Sequence, residues 1–531
     1  MNRLFLTIIK DKSLLIISSV IGLIIGFFSI CGYQIETYGN ISFNRISTYL
    51  WGLFFALISW IIIILCMKLC ERCTSVKESK PINSYLLFGL LVICLLIIWL
   101  PQLFGIYPGY FNYDATGQWE MYEDRIITAH HPVLHTVVLG FIIDSVKSLT
   151  GSFNKGVFTF EVFQMIISSF CFSFVIVRMH FRNSSKWLLY ISLTWFSLFP
   201  TIIINLFSIT KDTLFSAFLV VFITMNLDIL EYPDKFLKDI RYMSLWCIIT
   251  FLTAIMRNNA IYVIVLFLPF FIWFLRKYLK QILPACASIL VLYIFYIAFF
   301  CPLVTVDGVS SREFISVPAQ QLMRVYQEKK DLLTQEEIDI YETLFDEVAI
   351  EYYLPKISDV VKARFNMDEF SANPSKYISF YIKQGITYPD VYINSFLHNT
   401  YGFWYPMSNL ALDIFGAEGY FVCESRPPAY DNSKIPFIYN YYKLFEKSSL
   451  VYGDSPVKII FAPATYLWIF LFTISYTFWK KDKKSLIVLL VPLLIFLTFL
   501  LGPVALVRYV SFLYYMIPFE VMILTRNPEK A

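Results

Sequence analysis

The chain has 531 residues, of which 58% are hydrophobic and 15% are charged. Soluble domains carry about 25% charged residues, so this composition describes an integral membrane protein. The formal net charge is only +4, with the basic residues confined to loops, which excludes a nucleic-acid-binding chain.

Met1 to Lys12 is basic and runs into an apolar stretch without a small-residue cleavage site, so a retained first helix is expected. A span needs about 20 apolar residues. Twelve stretches come near this: 13–33, 48–68, 84–106, 157–178, 187–207, 212–229, 243–256, 260–275, 282–302, 457–479, 485–501 and 504–523. The predicted fold is an all-α polytopic membrane protein with about 12 transmembrane helices.

Lys and Arg in the short loops set the orientation. Arg3, Lys10 and Lys12 precede the first stretch, and Lys68, Arg72, Lys77 and Lys80 follow the second. Arg178, Arg182 and Lys186 follow the fourth, and Lys235, Lys238 and Arg241 the sixth. Arg276, Lys277 and Lys280 follow the eighth, Lys480, Lys481, Lys483 and Lys484 the tenth, and Arg526 and Lys530 end the chain. All fall on one side, the expected cytoplasm with both termini, provided that 132–155 does not cross. Val133 to Ile143 is short, holds His135 and is followed by Asp144 and Lys147, so 107–155 reads as a long external loop with surface-lying helices.

The expected organisation has three parts. Residues 1–302 form an N-terminal transmembrane bundle with a catalytic first external loop at 107–155. Residues 303–456 form a small, mostly helical extracytoplasmic domain, and 457–531 supply the C-terminal helices. Thr334-Gln335-Glu336-Glu337 starts a helix as a capping box. Ten cysteines, mostly within apolar stretches, imply no disulfide framework.

This threading brings the unusual polar clusters to the non-cytoplasmic face. A Pro-Gly turn at Pro108-Gly109 and the aromatic run Tyr110-Phe111-Asn112-Tyr113 deliver Asp114 to the membrane surface. Partial desolvation there raises a carboxylate's basicity and suits a general base. Asp114 could equally hold a divalent cation (Mg or Mn) with His131; a solvated loop aspartate is the plain alternative. Glu120, Glu123 and Asp124 sit in a more ordinary polar helix. His130-His131-Pro132 follows, but without an HExxH pattern zinc hydrolase chemistry has no support.

Lys211-Asp212 stands at an external junction, as a snorkelling pair or as a contact for a lipid phosphate. Arg257-Asn258-Asn259 breaks an otherwise apolar run, and arginine matches phosphate bidentately. A helix starting at Asn259 would also aim its N–H groups at an anion. Arg508 lies about one turn inside the last apolar stretch. An acid, imidazoles and cations on one membrane face point to chemistry on a lipid-borne substrate.

The layout resembles the GT-C superfamily of membrane glycosyltransferases. Asp114 matches that group's first-loop acid, and His131-Pro132 resembles the His-Pro that ends this loop in several members. Lys211, Arg257 and Arg508 occupy places where the superfamily keeps cations for the donor phosphate. Ser316-Val317-Pro318-Ala319-Gln320-Gln321 and Phe403-Trp404-Tyr405-Pro406 resemble an uncharacterised bacterial branch. A paired acid is common in the first loop, but here Asp114 is followed by Ala115, which leaves metal dependence open.

The resemblance implies transfer of a sugar from a polyprenyl-phosphate donor, with inversion, at the extracytoplasmic face of the plasma membrane. Arg257, Lys211 and Arg508 would hold the phosphate, with Asp114 as base and His130, His131, Asp212, Asn258 and Asn259 as further site candidates. The implied acceptor is a cell-surface glycan, teichoic acid or glycolipid. Two other readings stay open: a lipid or polysaccharide transporter or flippase, and a non-catalytic envelope-assembly scaffold. A transporter places its charges near the midplane, often in repeated halves, whereas here they cluster at one surface.

Overall fold

A computed structural model describes residues 10–73, 83–112, 114–182, 186–306, 314–409, 411–412, 417–418, 421–447 and 455–526. Arg3, Lys77, Lys80 and Lys530 of the charge pattern, and Tyr113, lie outside these residues.

Helix α1 (Lys12–Tyr38) starts where the Asp11 carboxylate accepts from the Leu14 N–H at 3.0 Å, and it ends at Gly39 in a left-handed conformation. It packs on α2 (Ile46–Cys73) at very close range. A Cβ at Gly26 would stand 2.5 Å from the Gly52 carbonyl oxygen, so only a small residue permits this approach. Asn83 caps α3 (Ser84–Gly105). Then come α4 (Asp114–Glu123), α5 (Val133–Thr150) and α6 (Phe153–Arg182). Helices α7 (Lys186–Leu198) and α8 (Pro200–Leu206) meet at a bend of 53°. At their junction Pro200 offers no N–H to continue the first helix.

Helix α9 (Lys211–Glu231) is the axis of the bundle, and its apolar window is buried throughout. Helix α10 (Ile240–Ile255) packs directly against it, α11 (Ala260–Phe274) touches it where Phe267 meets Phe222, and α12 (Leu279–Phe295), which packs on α10 and continues to Val304, follows. A helical cap with its own apolar core follows: α13 (Ser316–Lys329), α14 (Gln335–Leu344), α15 (Pro374–Thr387) and α16 (Pro389–Trp404). The capping box at Thr334 and Glu337 forms as the sequence predicts. After α17 (Pro436–Lys447) the chain closes with α18 (Pro463–Trp479), α19 (Lys483–Phe499) and α20 (Ser511–Thr525). The described strands are a two-residue antiparallel pair, Ala411–Leu412 with Ala417–Glu418.

Each of the twelve apolar stretches is helical over most of its length. Among the described residues, eight helices are long and apolar enough to cross a membrane, or nine if α7 and α8 form one span. Helices α10, α11, α18 and α19, with 16, 15, 17 and 17 residues, fall short of the about 20 residues of a full span.

Helix α5 meets the length and composition of a span, which the sequence reading of 132–155 did not anticipate. Its packing places it beyond the bundle. His135 meets Phe160 at 5.6 Å, and a Cβ on Gly156 would touch the Ile143 backbone. α5 therefore pairs with the first third of α6. The part of α6 that runs beside α9 begins further on, where the Gln164 amide donates to the carbonyls of Leu206 and Ser208 at 2.8 and 3.0 Å.

The aromatic segment at the end of α16 is wedged into the bundle. Trp404 meets Phe28 of α1 at 4.7 Å and its carbonyl accepts from Trp468, while Phe403 meets Phe496 at 5.8 Å. The cap thus continues into the membrane-spanning core.

Polar groups divide between the two ends of α9. At its C-terminal end Arg178, Arg182 and Arg526 bind Asp228, Glu231 and Asp482, and Tyr242 donates to Asp228. Asp11, Glu71 and Lys480 form a second cluster with Lys68 and Trp479. At its N-terminal end lies a different set.

Candidate active site

Lys211 and Asp212 open α9, yet they do not pair with each other, because successive helical residues point apart. The Lys211 ammonium donates to Asp114 Oδ2 at 2.8 Å, and His131 Nδ1 lies 3.1 Å from it. Asp212 instead pairs with Arg257, and its second oxygen lies 3.4 Å from Arg508 Nη1. Arg508 grips Asp114 with both prongs, Nη1 to Oδ2 at 2.8 Å and Nη2 to Oδ1 at 3.2 Å. Three cations and two carboxylates from four separate stretches thus form one network.

Local backbone structure fixes each member. Asp114 begins α4 after a turn in which Gly109 has φ +121°. A side chain there would be strained and would strike Glu161 at 2.4 Å. The Tyr110 N–H donates to the Phe207 carbonyl, and Ile209 N–H returns to the Tyr110 carbonyl. This short parallel bridge ties the stretch before Asp114 to the stretch before Lys211. Arg257 lies in the turn between α10 and α11, and its guanidinium sits over the neighbouring rings of Phe499 at 4.3 Å and Tyr509 at 4.9 Å. Aromatic faces of this kind favour a guanidinium. Arg508 lies in a 3-10 turn preceding α20. The loop before it is held by the cap: Asn399 donates to the Gly502 carbonyl at 2.8 Å and Ser358 N–H to the Pro503 carbonyl at 2.8 Å.

The remaining predicted residues line the rim. The Asn258 amide donates to the carbonyls of Ala129 and His130 at 3.1 and 3.4 Å, which joins the α10–α11 turn to the His130-His131 loop. The His130 and His131 rings meet edge-on at 4.6 Å. Asn259 precedes α11 without a side-chain cap bond, and its amide donates to Thr498 instead. The sequence-predicted set therefore converges at one end of the bundle.

The electrostatics overturn one expectation. Burial works to raise the Asp114 pKa, but Arg508 and Lys211 outweigh it and hold the carboxyl well below the usual range. Asp114 is thus a firm anion, not the basic carboxylate that desolvation alone would give. Burial beside Lys211 pushes His131 down to about 3, so the ring is neutral at physiological pH. Asp212 is 1% exposed and structural, while Asp114 is 21% exposed and can meet a substrate.

A family model described as a family of unknown function (DUF6020) matches residues 122–531. The chain belongs to that family. No curated protein and no solved structure matches the chain. The DUF6020 match spans His130, His131, Lys211, Asp212, Arg257 and Arg508, and it begins eight residues after Asp114.

A divalent cation at Asp114 and His131 does not fit this arrangement. Both Asp114 oxygens already accept from cations, and the ion would face Lys211 and Arg508 as like charges. Among the described residues, no group of three or more His, Cys, Asp or Glu is placed to hold a metal.

Sequence reasoning missed Phe499 and Tyr509, the aromatic walls of Arg257, because aromatic residues are too common in this chain to stand out. It also missed Glu161, buried beneath the Gly109 turn, although an acid inside an apolar stretch was a readable signal.

Proposed function

We propose that this protein is a membrane glycosyltransferase that takes a sugar from a polyprenyl-phosphate donor on the extracytoplasmic side. The observation that carries this reading is one network in which Lys211 and Arg508 bind a partly buried Asp114 while Arg257 binds Asp212, three cations against two carboxylates. Such a cluster favours an added anion, and an arginine fork matches phosphate.

In this reading the donor phosphate draws Arg508 and Lys211 away from Asp114. Losing those partners raises the carboxyl's proton affinity, so the base is released when donor is present. The acceptor hydroxyl then attacks the anomeric carbon. Its proton passes to Asp114, and the bond from the anomeric carbon to the phosphate oxygen breaks with its electron pair on the leaving polyprenyl phosphate. Arg257 and Arg508 stabilise that developing charge. The cap, which holds the loop before Arg508, is the natural place for the acceptor, a cell-surface glycan, teichoic acid or glycolipid.

A lipid-phosphate flippase is the second reading. It is favoured by Glu161 and Glu520, two acids with no exposed surface inside apolar helices, since buried acids of this kind serve proton coupling in transporters.

The test is the surface-glycan sugar composition of a deletion strain complemented at matched membrane levels. The transferase reading expects one sugar to vanish, to return with wild type and to stay absent with Asp114→Asn. Full restoration by Asp114→Asn removes Asp114 as base and favours the flippase.

A further inference from the structure

The cap carries a feature that neither its own core nor the candidate site uses. Helix α15 buries Tyr377, Phe380 and Gln384 against the cap core. On its other side Ile378, Ile382 and Ile386 stand 49%, 53% and 77% exposed, one turn apart along a single stripe. A helix bathed in water would carry polar residues there.

The surroundings of this stripe say what covers it. Tyr392 of α16 donates to the Tyr381 carbonyl at 2.8 Å and packs against Gly385, so it is seated on α15. Tyr392, Ile393 and Phe396 also line a groove of about 330 Å³ together with Phe27. Phe27 lies in the middle of α1, among the exposed apolar residues Leu23, Ile24 and Phe27 of a candidate span. The isoleucine stripe therefore continues, through Tyr392 and the exposed Ile393, onto the exposed apolar surface of a candidate span. Lys376 and Lys383, both exposed, stand together beside the stripe on one side, where Lys383 also pairs with Glu337 at 3.0 Å; lysines next to an apolar stripe extend their ammonium groups to lipid headgroups.

We propose that α15 is an interfacial helix whose Ile378, Ile382 and Ile386 dip into the leaflet on the site's side of the membrane. The occupant of this face is lipid, and the helix fixes the height of the cap above the Arg508 loop. This inference is independent of the chemistry at Asp114.

The experiment places a nitroxide at Ile382→Cys and, separately, at Ile386→Cys, with exposed Cys73 and Cys94 replaced by Ser. The protein is reconstituted in phosphatidylcholine–phosphatidylglycerol vesicles, with Glu336→Cys, at an exposed acidic position in the first turn of α14, as a control. The expected result is that oxygen relaxes the labels at 382 and 386 more strongly than a water-soluble nickel chelate does, with the reverse order at 336. Ile386, the most exposed of the three, tolerates change with the least risk to folding and guards against a misfolded Ile382 variant. Equal chelate access at 382, 386 and 336 overturns the proposal. Spin–spin broadening between labels, which would mean that a second copy covers the face, overturns it as well.

Discussion

Arg508 and Asp114 lie 394 residues apart in sequence and meet through two hydrogen bonds, at 2.8 and 3.2 Å. One sits on the loop held by the cap, the other at the start of the first polar helix. Their pairing ties the start of α4 to the turn before α20 beside the N-terminal end of α9, and in the proposed reading it is the contact that the donor phosphate disturbs.

The fork geometry matters more than the charge alone. Arg508→Lys keeps the cation but not both bonds, and a hydrogen bond to a charged group contributes about 1.5–3 kcal/mol. The expected outcome is a transfer rate in isolated membranes that falls by roughly 10- to 100-fold at unchanged protein level. Arg508→Ala should be worse, because Asp114 and the buried Asp212 both lose a partner.

Lowering the pH should destabilise the protein through its neutral histidines. His131 is held at about 3 by burial and by Lys211, against about 6.5 in an unfolded chain. Below that unfolded value the unfolded state binds the proton and the folded state does not. Stability from this group is therefore present above pH ~6.5 and falls by ~1.4 kcal/mol per pH unit down to about pH 3. His398, pushed to about 3 by burial, Arg324 and Lys356, adds a loss of the same sign. Melting temperature measured in detergent should drop between pH 7 and pH 5, and His131→Asn should make that drop shallower.

At the far end of α9 the prediction concerns folding. Arg182 is nearly fully buried between Asp228 and Glu231. Removing one partner of a buried pair costs about 3–5 kcal/mol, because the opposite charge stays behind. Arg182→Ala should lower the amount of folded protein in membranes, as read by fluorescence size exclusion. Adding Glu231→Gln to it should recover part of the loss.

Gly109→Ala tests the turn that delivers Asp114. Its backbone is left-handed, and the new methyl would meet Glu161 at 2.4 Å. Strain of this type costs about 1–3 kcal/mol. Activity is expected to fall more than stability, since the displaced segment leads directly into Asp114; kinetics and melting curves on the same preparation would separate the two.

The sequence revealed the members of this site better than their pairings. Asp114, Lys211, Arg257 and Arg508 were conspicuous because charge beside apolar stretches is costly and rarely accidental. That Lys211 binds Asp114 while its neighbour Asp212 binds Arg257 was not legible, since it depends on how α9 is rotated against three other segments. The depressed Asp114 pKa was missed for the same reason. Helix α5 was read as too short because its apolar run holds His135 and is followed by Asp144 and Lys147. In the fold Asp144 is exposed and Lys147 reaches Glu123 of α4 at 3.0 Å, so both fit an outward helix face. Arg178, Arg182 and Arg526 marked one side of the membrane, but they bind buried acids at the end of the bundle, a second role that loop charge cannot show.

The central claim is that the Lys211–Arg257–Arg508 cluster receives a lipid-borne phosphate. The most direct measurement is the affinity of the purified protein for polyprenyl phosphate and for the matching neutral polyprenol, by native mass spectrometry, in wild type and Arg257→Gln. The account predicts at least tenfold tighter binding of the phosphate by wild type, a difference of about 1.4 kcal/mol, and loss of that preference in Arg257→Gln. Equal affinity for phosphate and alcohol in wild type would contradict it.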